Sequence, residues 1–189
     1  LAVVVGISIG ARTALTLAAF FPELVPRVIL MCPTSFRLWP DRRGRRIAYA
    51  VFPPGIERAT WDTLHWLLRK DPEKYLPRVV ENLTTLDGET AVRRLGLDTA
   101  KITEFLLHCQ SGRGFLVDLR PATDTTDRVT QPTLVLATRN DGAVSFDHAD
   151  YLAATVRQAR LVEVDTPIHL LWLGEGSDRT AAEIGHFTA

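Results

Sequence analysis

The chain has 189 residues, is 46% hydrophobic and 23% charged, and sets 22 Lys and Arg against 22 Asp and Glu. That length suits one domain with a sizeable core, and a formal net charge of zero argues against nucleic acid or an anionic membrane as a main partner. Cys32 and Cys109 stand in no CxxC or CxxH arrangement. Neither a disulfide framework nor a metal site is therefore expected, and the cysteine usage suits a cytoplasmic protein.

Residues 1–5, Leu-Ala-Val-Val-Val, read as a buried strand, apolar on both faces. Gly6-Ile7-Ser8-Ile9-Gly10 follows and opens an alanine-rich helix predicted over 9–21 and ended by Pro22. The apolar start does not read as a signal peptide or a membrane span. Arg12 sits inside it, no basic segment precedes it, and two glycines punctuate it. Residues 27–32 form a second buried strand, stopped by Pro33, so strand, helix and strand make a βαβ unit with a parallel sheet.

Residues 34–126 change character. They hold Trp39, Trp61 and Trp66, show no strand pattern, and read as helices. Thr60 is expected to cap one running to about Arg69, and Asp71-Pro72-Glu73 to start another, with Asp at N-cap and Pro at N1. Ile102, Phe105, Leu106 and Cys109 share one face of a helix over 99–110. The run Arg42-Arg43-Gly44-Arg45-Arg46 reads as a solvated loop. The α/β pattern resumes with strands near 132–137 and 160–165 and helices over 146–157 and 178–187. The expected organisation is thus an α/β core over 1–33 and 127–189, with a helical cap inserted at 34–126.

A serine with glycines two residues to either side, between strand and helix, is the pattern of a nucleophile elbow. A Cβ at either glycine is expected to collide with a neighbouring element. A serine hydroxyl needs a general base, and the base needs an orienting acid. Asp141 follows the strand at 132–137, and His169 lies in the loop after the next strand. Parallel strands open their C-terminal ends on one edge, so Ser8, Asp141 and His169 can converge there. Their chain order, Ser then Asp then His, is that of the α/β-hydrolase triad.

Three segments carry a resemblance: Val-Val-Val-Gly-Ile-Ser-Ile-Gly at 3–10, Pro-Thr-Leu-Val-Leu-Ala-Thr-Arg-Asn-Asp at 132–141, and Ile-His-Leu-Leu-Trp-Leu-Gly at 168–174. The chain resembles the C-terminal part of a capped serine α/β-hydrolase. The resemblance implies the C-terminal half of that parallel sheet with a helical cap. It implies Ser8 as nucleophile, His169 as base and then acid, Asp141 as the group that fixes the imidazole, and the Ile9 N–H as an oxyanion donor. It implies a small-molecule apolar ester or acyl substrate, a reaction of the carboxylic ester or carbon–carbon bond hydrolase type, an acyl-enzyme intermediate and no cofactor. A serine nucleophile disfavours the relatives that use an aspartate.

Two positions depart from the family pattern: Ile168 where a Gly often precedes the histidine, and Ala137-Thr138 where a small pair usually ends the strand. The chain begins with Leu, and nothing before the elbow matches the family's first strands or its second oxyanion loop. The expectation is therefore a partial product with little activity of its own, and the alternative is a non-catalytic hydrolase-like domain that binds a ligand or partner. A dinucleotide site is disfavoured because Ser8 stands where the fingerprint needs glycine and the second strand ends in Met31-Cys32 rather than an acid.

Overall fold

The apolar runs form four parallel strands, β1 Val4–Ile7, β2 Val28–Met31, β3 Thr133–Ala137 and β4 Ala159–Glu163, in the spatial order β1-β2-β3-β4. The computed structural model describes residues 2–40, 48–52, 55–112 and 114–189. The arginine cluster at 42–46 and Leu1 lie outside the described residues. Val4 pairs with Val28, Val28 with Thr133 and Thr133 with Ala159, so the four C-terminal ends are level.

Eight helices are labelled here: α1 Gly10–Phe20, α2 Glu57–Lys70, α3 Pro72–Val80, α4 Gly88–Leu95, α5 Thr99–His108, α6 Gly114–Asp118, α7 Asp147–Thr155 and α8 Ser177–Thr188. Five of them, α2 to α6, lie between β2 and β3. Alternate side chains of the central strands face opposite layers. Val28, Leu30, Val135 and Ala137 pack with α1 and α7 residues such as Leu15 and Leu152. Ile29, Met31, Leu134 and Leu136 pack on the other face with Val162, Val164, Ile184 and Phe187. A third cluster joins α2 to α5, through Leu68, Leu76, Leu95 and Ile102, to Ile168, Leu170 and Leu173. No described helix is long and apolar enough to cross a membrane.

Three details differ from the sequence reading. The first strand runs on through Gly6 and Ile7 to the serine itself. It is not buried on both faces: it stands at the edge of the described sheet, where Val5 is 50% and Ile7 39% exposed. Helix α2 begins at Glu57, three residues before Thr60, and the Thr60 hydroxyl donates to the Val51 carbonyl instead of capping. Asp71 does cap α3, its carboxylate accepting the Lys74 N–H at 3.1 Å.

Candidate active site

The turn between β1 and α1 is strained at its serine. Ser8 has φ = 53°, a left-handed conformation that non-glycine residues rarely adopt. Its N–H donates to Met31 O at 3.0 Å and its carbonyl accepts the Thr34 N–H at 2.9 Å, which pins the turn to the end of β2. The two flanking glycines are not equivalent. A Cβ on Gly6 would stand 2.7 Å from Ala11 Cα, whereas a Cβ on Gly10 would meet nothing within 4 Å. The expected collision holds for Gly6 alone, because β1 and α1 approach each other there and Gly10 faces open space. The Ile9 N–H, ahead of the first turn of α1, has no intramolecular partner among the described residues.

Asp141 and His169 meet at the C-terminal edge of the sheet. Asp141 Oδ2 accepts the His169 Nδ1–H at 2.6 Å, with both side chains buried. The other carboxylate oxygen accepts the N–H groups of Ala143 and Val144 at 2.8 and 2.9 Å. Since Nδ1 carries the shared proton, Nε2 keeps its lone pair. The Ser8 hydroxyl is not hydrogen-bonded to His169 in this structure, a contact that apo sites often complete only with substrate.

Sequence reasoning missed a support of this pair and a buried neighbour of it. The first is the Leu83–Thr85 turn after α3. Leu83 O accepts the His169 N–H at 2.8 Å, the Thr84 hydroxyl donates to Pro167 O at 2.7 Å, and the Thr85 N–H donates to Asn140 O at 2.8 Å. One turn thus holds the loop of the acid and the loop of the imidazole. Gly142 lies so close to Thr84 backbone that a Cβ there would overlap it. Glycine after Asp141 was the available signal, and it reads as turn chemistry alone. Ile168, the departure from glycine, is fully buried in the helical cluster that backs the histidine loop.

The second is Cys32, just after β2, with φ = 42°. Its thiol, a carboxylate oxygen of Asp141 and a ring nitrogen of His169 all lie within 4.8 Å of one another. The set has the chemistry of a soft-metal site, but the ring nitrogen and the carboxylate are already bonded to each other. Burial first, then the Asp141 charge, push the Cys32 thiol well above its usual range.

Beyond the Asp141 loop, His148 Nδ1 accepts both the Ser35 N–H, at 3.2 Å, and the Ser35 hydroxyl, at 2.7 Å. Burial, helped by the Arg12 and Arg37 charges, lowers the affinity of His148 for a second proton. A cavity of about 580 Å³ opens beside it, lined by Arg37, Trp39, Gly142 and Asp147 among others. Ser8 and His169 are not among its described lining residues. Of the three middle tryptophans, Trp39 borders this cavity and donates to Ala143 O, Trp61 stacks near Phe52, and Trp66 is 57% exposed.

A parallel sheet layered by helices, a left-handed serine after β1, and a buried acid–imidazole pair after β3 and β4 define the α/β-hydrolase arrangement. The family model for the alpha/beta hydrolase fold matches residues 1–174, and the chain belongs to that family. It is 26% identical over 188 residues to the uncharacterized hydrolase YcgS of Bacillus subtilis, covering 96% of this chain and 65% of that protein. The chain thus spans about two thirds of that curated relative. An alpha/beta hydrolase fold protein from Nakamurella multipartita superposes with a TM-score of 0.74 at 22% identity, over 97% of this chain and 67% of that one. The enol-lactonase from Burkholderia xenovorans LB400 superposes with a TM-score of 0.63, also at 22% identity, over 97% of this chain and 64% of that one.

Proposed function

We propose that this chain carries the reacting groups of a serine hydrolase that cleaves an ester or related acyl bond in a small molecule. The observation that carries the reading is the buried 2.6 Å contact between Asp141 and His169, formed on the sheet edge where Ser8 is held in a left-handed turn. In the reaction, Ser8 Oγ attacks the acyl carbon while His169 Nε2 takes the hydroxyl proton. Asp141 holds the ring and balances the charge of the imidazolium. The Ile9 N–H donates to the oxyanion. His169 then gives its proton to the leaving oxygen, leaving acyl-Ser8. Water then adds to the acyl carbon as His169 Nε2 takes its proton, and that proton passes to Ser8 Oγ as the Ser8–acyl bond breaks, releasing the carboxylic acid and free Ser8. Each turnover consumes one acyl substrate and one water.

Family membership supports hydrolysis, and the enol-lactonase, which by its name opens a cyclic ester, supports the acyl class. The helices between β2 and β3 serve as the cap in this reading, since their core backs the histidine loop. A fluorophosphonate probe tests the assignment. On the full-length protein it is expected to label Ser8, to lose labelling in Ser8→Ala, and to slow by roughly 10⁴-fold in Asp141→Asn, where the ring loses its orienting charge. Full-length wild-type protein that takes no label would falsify the nucleophile, and strong labelling of the 189-residue chain alone would refute its expected lack of activity.

A further inference from the structure

We infer that Arg94 is a positioning residue for the acid–imidazole pair: its guanidinium clasps the two ends of the loop that carries His169 and, through Asp165, ties them to the loop that carries Asp141. This rests on the reading of the pair given above.

His169 sits in the stretch between β4 and α8, and a reacting ring on a loop is only as well placed as the loop itself. Arg94 lies in the last turn of α4. Its Nε–H donates to Glu175 Oε2 at 2.6 Å. Its Nη2 donates to Asp165 O at 3.2 Å and lies 3.2 Å from Asp165 Oδ1. One planar fork thus spans the loop on either side of His169. At the far end the Glu175 N–H donates to Arg94 O at 3.1 Å, and the Gly174 N–H donates to Asp98 Oδ2 at 2.8 Å. Gly174 has φ = 75°, and a Cβ there would stand 3.0 Å from Arg94 O.

The near end reaches the acid. Asn140, which precedes Asp141, donates its side-chain amide to Asp165 Oδ1 at 3.0 Å and to Thr166 O at 2.9 Å. Asp165 Oδ1 therefore collects Arg94 from the helical segment and Asn140 from the acid loop. The Leu83–Thr85 turn holds the middle of the histidine loop, and Arg94 holds its ends. An isolated exposed ion pair holds little. A guanidinium shared by two carboxylates and a carbonyl fixes direction as well as distance, which an ammonium does not. The Arg94 side chain is 23% exposed and its two acids more so, which leaves the clasp open to screening by salt.

The test uses the full-length protein, with fluorophosphonate labelling resolved into probe affinity and limiting rate. In Arg94→Gln the limiting rate is expected to fall about tenfold, as small misplacements of a reacting group cause, with probe affinity unchanged. The Nδ1–H proton resonance of His169 is expected to move upfield as its bond to Asp141 lengthens. Arg94→Lys, which keeps the charge but cannot span both acids, is expected to fall between wild type and Arg94→Gln. In about 1 M NaCl, where charges are screened within ~3 Å, wild-type labelling is expected to slow toward that of Arg94→Gln, and the variant to stay unchanged. The losses in Arg94→Gln and Glu175→Gln are expected to be less than additive in the double variant. A merely structural arginine would lower the urea midpoint and leave the limiting rate and the resonance unmoved. That result overturns the proposal, as do Arg94→Lys at the wild-type rate and additive losses. Should Arg94→Gln fail to fold, the salt response of wild type and the resonance in Glu175→Gln decide it in the same way. Wild type that takes no label strikes the nucleophile alone, since the Nδ1–H resonance reports the pair without it.

Discussion

Gly6 and Gly10 look alike in sequence and do different work. At Gly6 an added methyl would press on Ala11 Cα and on Ala14 Cβ at 2.8 Å, so strand and helix would have to part. Gly6→Ala is expected to cost about 1–3 kcal/mol, the range for overpacked sites, as read from the urea midpoint. Gly10→Ala, in open space at the helix start, is expected to stay within about 0.5 kcal/mol of wild type. His148 offers a pH test. In the folded chain its proton affinity is lowered from the ordinary 6.5, so the unfolded chain binds the proton more readily. Stability from this group is complete above the unfolded value and is lost as pH falls through 6.5 toward the lower folded value. Urea midpoints are expected to fall between neutral pH and pH ~5, with a flatter profile in His148→Gln. A profile identical in both proteins would show that the ring's neutrality is not what the Ser35 contact depends on.

At the scale of elements, the central strands were legible because their apolar runs are short and bounded by Pro33 and the Asn140-Asp141-Gly142 turn. Leu134 is fully buried on β3, and Leu134→Ala is expected to cost about 2–5 kcal/mol by calorimetry, as buried leucines do. The start of α3 was legible from its Asp-Pro pair; Asp71→Ala is expected to cost about 1 kcal/mol. Helix α2 shows the limit. Thr60 has the right chemistry for a cap, but a hydroxyl can also donate, and a nearby carbonyl at Val51 claimed it.

At the scale of the whole molecule, convergence of Asp141 and His169 followed from parallel topology, since level strand ends bring distant loops to one edge. The contacts of Arg12 were not foreseeable, because no periodicity encodes them. Its guanidinium donates to the carbonyls of Ser35 and Arg37 at 2.8 and 3.1 Å, and to Asp118 O at the far end of the helical segment. A single side chain on α1 therefore fastens the chain where it leaves the sheet and near where it returns. Arg12→Met is expected to speed amide exchange in residues 34–38 and 117–120, leaving β3 protected. Uniform loss of protection would mean global destabilisation instead.

The Leu83–Thr85 turn belongs in sequence to the helical segment, yet its three hydrogen bonds end on the loops of Asp141 and His169. This makes the segment a poor candidate for transplantation. Exchanging residues 34–126 for a relative's helices would remove the strut that spaces acid from imidazole. A chimera built this way keeps the Asp141–His169 geometry only if the donor also brings a turn that reaches both loops. Substitutions around Trp39 leave that strut untouched.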